Sequence, residues 1–337
     1  MGLLFATHER YLDHLASPYH PERPERLTAV LEGARASAIS DALVPIEPRR
    51  ARRDELERVH TKGLLDRLEA IARAGGGAID ADTGMNAASW DAAVLGAGGV
   101  LAAAEALTAG EGDAAFCAVR PPGHHATPEH AMGFCLVNNV AVTAAALAAQ
   151  GERVLILDYD AHHGNGTQDA FYRHPTVFYV SFHQWPLYPG TGSVGEQGAG
   201  AGFGTTLNLP LPAGATGDVY LYGLDRVVAP LVQQFGPTWL LISAGFDAHR
   251  RDPLTDLGLT SGDYALLTER LLELVPTARR LMVLEGGYDL EALADSSAAA
   301  MSALLGVDER PEAPSSGGPG RQLVDVVAAC WADLLRA

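Results

Sequence analysis

Five short apolar runs, rich in β-branched and aromatic residues, recur along the chain: AAFCAV at 114–119, VLIL at 154–157, VFYVSF at 177–182, WLLIS at 239–243 and LMVLE at 281–285. Between them lie Ala- and Leu-rich stretches of helical character, such as 136–150, 218–235 and 261–275. Strands apolar on both faces that alternate with helices predict an α/β fold, a mostly parallel central sheet flanked by helices. Sheets of this kind bind ligands outside the carboxyl ends of their strands. The segments that follow the first, second, fourth and fifth runs read RPPGHHA, DYDAHHGNG, AGFDAHRRDP and GGYD. Each brings polar, chemically capable side chains to one predicted rim.

No repeat of solenoid or propeller spacing is present, and only DERPEAPSSGGPGRQ at 308–322 has linker composition. The segment after it has helical periodicity, so 323–336 is expected as a terminal helix and 1–337 as a single domain. The 41 acidic against 24 basic residues, a net charge of −17, argue against direct binding to nucleic acid, which needs a basic face. An acidic surface suits cationic substrates, though solubility is its commonest meaning. Cys117, Cys135 and Cys330 are odd in number, widely spaced and apolar in context, which predicts reduced thiols in a cytoplasmic protein. The N-terminal stretch lacks the pattern of a signal peptide, and no apolar run is expected to approach the roughly 18 residues of a membrane span. The sequence leaves a homo-oligomer open.

Side chains two residues apart in an extended segment share a face, so Asp158, Asp160 and His162 can point one way. An Asp and a His projecting together supply donors that suit Zn²⁺, and Asp247, past the fourth run, is the best candidate for a third ligand. Two carboxylates with one imidazole also suit Fe²⁺, Mn²⁺ or Co²⁺. Taken singly, either aspartate has a plainer reading as the cap of the next helix. Beside a metal, His124 and His125 become candidate general acid and base, since imidazole titrates near neutral pH. Asp158 and Asn165 can each accept a ring N–H from one of them, the carboxylate stabilising an imidazolium and the amide mainly orienting one. Tyr288, presented after two glycines, offers a hydroxyl to a developing oxyanion.

HPERPERL, RPPGHHA, GFCLVNNVAVTA, DYDAHHGNGTQ, SFHQWPLYPGTG, SAGFDAHRRDPL and LEGGYDLEAL, in collinear order to about residue 305, resemble the signature segments of the histone deacetylase family. HPERPERL, Asn165 and Glu285 make the likeness closest to its class II branch and to bacterial deacetylase-like amidohydrolases. The resemblance implies a single arginase-like domain, with zinc bound by Asp160, His162 and Asp247. It also implies His125 as general base and acid, His124 as its electrostatic partner and Tyr288 as oxyanion donor. The substrate implied is an N-acyl amine, usually Nε-acetyl-lysine in a protein or peptide. Gly133, Phe134 and Tyr188 match the acyl-lysine channel. Leu254 falls where acetylpolyamine-selective members carry an acidic gatekeeper, which lowers the alternative of an acetylpolyamine or other small N-acyl amine. A potassium ion is implied at Asp158, Asp160, His162, Ser181 and Phe182, and a second near Phe171 and Val177. Arg26 matches an arginine associated with acetate release, its plainer reading being a buried ion pair. A non-catalytic acyl-ligand-binding protein is disfavoured because no ligand or catalytic group is missing. An arginase-like dimetal site is disfavoured because GFDAH offers only Asp247.

Overall fold

All five apolar runs form strands, and in the described residues three further strands join them in one parallel sheet. The structure, a computed structural model, describes residues 2–275 and 279–334. In chain order the strands are β1 Leu3–Ala6, β2 Leu43–Ile46, β3 Gly76–Ala78, β4 Gly84–Asn86, β5 Ala114–Cys117, β6 Val154–Asp158, β7 Val177–Gln184, β8 Thr206–Leu211, β9 Trp239–Ala244 and β10 Arg280–Leu284. The central sheet runs β2-β1-β5-β10-β9-β6-β7-β8, while β3 and β4 pair as a small antiparallel hairpin. Every residue of β5, β6, β7 and β9 is buried, as expected when helices cover both faces.

The strands of the central sheet that composition did not reveal are β1, β2 and β8. Both edge strands carry a proline, Pro45 in β2 and Pro210 in β8. Proline cannot donate to a ladder, so it reads as a break in sequence and is tolerated only where one side of a strand is free.

Three other expectations change. The helix Ser89–Thr108 is long and apolar enough to cross a membrane, contrary to the reading that no run approaches that length, but most of it is buried against Asn139–Ala149 and β5. Its alanines and glycines supply the apolar character and allow that close packing. The stretch 218–235 forms two helices, Gly217–Gly223 and Ala229–Phe235, joined by a π-helical turn at Leu224–Val228. The terminal helix runs Arg321–Cys330 instead of 323–336, because Trp331 leaves the helix to bury its ring beside Phe178; positions 335 and 336 lie outside the described residues. The expected 308–322 loop ends at Gly320, where that helix begins, and it is tied down by Glu312 to His249 and Arg250 and by Ser315 to Asp263.

Strands β5 and β6 follow one another in the chain yet are separated in the sheet by β10 and β9. The strand ends around this switch in direction form a crevice, and β5, β10, β9 and β6 are the four strands whose trailing segments carry the predicted chemistry.

Candidate active site

Asp160 and His162 lie on the loop after β6, and Asp247 on the loop after the adjacent β9. The His162 ring Nδ1 is 2.9 Å from Asp247 Oδ2 and 3.2 Å from Asp160 Oδ1. One donor atom from each of the three lies within 4.8 Å of the others. Glycines make the cradle possible, since a Cβ on Gly245 would collide with the Asp160 carboxylate, and one on Gly286 with both carboxylates. Burial, with the charge of Asp160 added, pushes the Asp247 carboxyl up to about 6. Burial alone would lower His162, but Asp160 and Asp247 override it and hold the imidazole up to about 10. Two buried carboxylates facing one another call for positive charge between them, and this oxygen-rich, single-imidazole donor set fits a divalent metal.

The turn after β5 carries the paired histidines, with ring centroids 4.0 Å apart. His124 Nδ1 donates to Asp158 Oδ2 at 3.0 Å, and His125 Nδ1 to Asn165 Oδ1 at 2.8 Å. These different partners separate the two rings electrostatically. Burial would lower His124, but the Asp160 and Asp158 carboxylates raise it to about 10. His125 is held well below its ordinary value by burial and by the charges of His124 and His162. The two imidazoles are thus biased in opposite directions, His124 towards its charged form and His125 towards its neutral one.

Tyr288, half-buried, ends the segment that follows β10. Its ring lies under the Arg26 guanidinium at 4.9 Å and meets Phe134 edge-on at 5.9 Å. Burial pushes its phenol up against the lowering pull of Arg26, so the hydroxyl keeps its proton. Phe134 takes a positive φ of 69° after Gly133, itself pressed against the His125 ring. Tyr188 meets His125 edge-on at 5.1 Å and is about a third exposed, forming an opposite wall. Leu254 is exposed on the loop after β9.

The remaining candidates are placed as follows. Asp158 pairs in register with Ser181 on β7, whose hydroxyl lies 2.9 Å from His183 Nδ1, while Phe182 is stacked on Tyr220. Arg26 is fully buried, donating to Gly287 O at 2.6 Å, to Glu285 O at 2.5 Å and to Glu22 at 3.2 Å. Glu22 also grips Arg120, at the start of the paired-histidine turn, through bonds of 2.5 and 2.8 Å. Burial alone would raise the Glu22 carboxyl, but Arg120 and His14 hold it well below the usual range.

Three contributors escaped the reading of the sequence as site residues. Tyr179 donates its hydroxyl to Asp158 Oδ2 at 3.1 Å, yet inside an apolar strand it reads as core. Asp252 accepts the Tyr288 N–H at 2.8 Å, and its position after RR in a strand-end loop was the available signal. Thr83 accepts the Phe134 N–H at 3.1 Å from the β3–β4 hairpin, for which no local signal exists.

A metal-type cradle beside two imidazoles held by different partners and a protonated phenol is the equipment of a hydrolase acting on amide bonds. A model of the histone deacetylase domain matches residues 20–304, and the chain belongs to the histone deacetylase family. It is 43% identical over 314 residues to a probable deacetylase of Archaeoglobus fulgidus, covering 91% of this chain and 87% of that protein. To histone deacetylase 15 of Arabidopsis thaliana it is 40% identical, covering 89% of this chain and 55% of the plant protein. The crystal structure of the HDA15 HD domain superposes with a TM-score of 0.89 at 35% identity, covering 100% of this chain and 99% of that one. The fold is thus the arginase/deacetylase fold.

Proposed function

We propose that the protein is a zinc-dependent deacetylase that hydrolyses Nε-acetyl-lysine in proteins or peptides. The observation that carries this reading is the gathering of Asp160, His162 and Asp247 donor atoms within 4.8 Å, beside the paired histidines. Asp160, His162 and Asp247 would hold the zinc, which when bound polarises an acyl carbonyl and lowers the pKa of water from 15.7 towards roughly 7. His125, neutral and oriented by Asn165, takes the proton of the attacking water and returns one to the leaving amine. His124, whose ring is held by the Asp158 carboxylate, stabilises the negative charge that develops. Tyr288 donates its hydroxyl to the acyl oxygen as that atom becomes an oxyanion. Gly133, Phe134 and Tyr188 flank the aliphatic arm of the lysine. By the family resemblance alone, a potassium ion would be held by the side chains of Asp158 and Ser181 and the backbone carbonyls of Asp158, Asp160, His162 and Phe182.

Leu254 supports a peptide over a polyamine, since an apolar side chain offers nothing to a second ammonium group. Measured side by side, acetyl-lysine peptides are expected to exceed acetylspermidine and acetylputrescine in kcat/KM by roughly tenfold or more, about 1.4 kcal/mol of transition-state binding. The opposite ranking would assign the protein to the polyamine branch. A hydroxamate is expected to inhibit by chelation, and complete insensitivity would speak against an accessible metal.

A further inference from the structure

The segment Glu285-Gly286-Gly287-Tyr288 touches every strand end that builds the site. The Glu285 N–H donates to Ala244 O at the end of β9, and its carbonyl accepts from Arg26. Gly286 donates its N–H to Asp160 Oδ2 at 2.8 Å and accepts from Phe246 N–H at 3.0 Å. Tyr288 is fixed through its N–H by Asp252. The remaining link runs to the paired histidines and is made by a side chain. Glu285 Oε2 accepts the Gly123 N–H at 2.6 Å and the His124 N–H at 3.1 Å, with the whole residue shielded from solvent.

We infer that Glu285 is a positioning residue for His124 and His125, its side chain fixing the backbone of their turn relative to the segment that carries Tyr288. The inference rests on the proposed hydrolysis, in which one imidazole and one hydroxyl must act on the same acyl group. These groups descend from β5 and β10, two strands paired in parallel register. Past the strand ends that register stops, and among the described residues the Glu285 carboxyl is the side chain that hydrogen-bonds the two segments directly to one another. Oε1 of the same carboxyl is buried with no hydrogen-bond partner among the described residues. The effect of the side chain is thus concentrated in the two bonds from Oε2, and what those bonds require is an acceptor of the right reach.

Two substitutions separate reach from charge. Glu285→Asp keeps the charge but withdraws the acceptor by one methylene, whereas Glu285→Gln keeps an acceptor oxygen at full reach without the charge. With displacement of a reacting group by about 1 Å able to cost up to 10²-fold, Glu285→Asp is expected to lose roughly tenfold or more in kcat. Its KM should stay close to that of the parent protein, with zinc content unchanged, and amide protons in 119–126 should exchange faster with deuterium. Glu285→Gln is expected to retain most of the kcat and the parent protection of 119–126. Any other pattern overturns the inference: an active Asp variant, an inactive Gln variant, or loss of zinc as the cause of the defect. The exchange measurement needs no substrate. A parent protein inactive on every acyl amine would therefore count against the proposed hydrolysis alone, and the protection of 119–126 would still decide the positional role.

Discussion

Tyr288→Phe is expected to lower turnover by roughly 10²- to 10³-fold, the usual effect of removing one oxyanion donor, while leaving bound zinc and stability close to those of the parent protein. The substitution removes one oxygen and little else. The ring remains held by the Arg26 guanidinium above it at 4.9 Å and by the edge of Phe134 at 5.9 Å. The backbone remains held by Asp252. Burial keeps the parent phenol protonated, so the hydroxyl is a donor across the neutral range and the loss should be of similar size throughout it. The measurement is kcat alongside zinc content by elemental analysis. A fully metallated Phe variant with near-normal turnover would remove Tyr288 from the chemistry.

Asp247→Ala is expected to abolish both stable zinc binding and activity. It deletes one of three donors, and losing even an outer partner of a metal ligand costs roughly 10- to 100-fold in affinity. The change also frees the Ala161 N–H, which Asp247 Oδ1 accepts at 2.8 Å, so the loop carrying Asp160 and His162 loses an anchor. Thermal denaturation separates the two effects. Zinc at 100 times its dissociation constant should stabilise the parent protein by about 2.7 kcal/mol, and the variant should show no such gain. A variant that still carries one zinc per chain would strike Asp247 from the ligand set.

Arg26 shows how far a residue's surroundings can redirect its reading. By resemblance it belongs to acetate release. In the structure its guanidinium is engaged by Gly287 O, Glu285 O and Glu22, and it covers the ring of Tyr288. Those contacts support the plainer alternative, a buried ion pair, with the added effect of shaping the bend that presents the tyrosine.

Much of this protein was legible in one dimension. The five apolar runs, their helical spacers and the polar segments after them follow from local periodicity, because burial on both faces of a strand and the two-residue alternation of side chains act over a few neighbours. That is why Asp158, Asp160 and His162 could be read as a group. The edge strands β2 and β8 were not legible because proline breaks the local pattern that an edge position excuses. Nor were the bonds from Glu285 to the histidine turn or from Thr83 to Phe134, since each joins residues far apart in the chain. Strand order was likewise decided only in three dimensions. Setting β9 beside β6 brings Asp247 to His162 across 85 positions of sequence, and setting β10 beside β5 brings Tyr288 towards the paired histidines. Local preferences specify what each segment can become, but which segments meet depends on how the whole set of helices and strands packs around one core, and no short stretch of sequence carries that information.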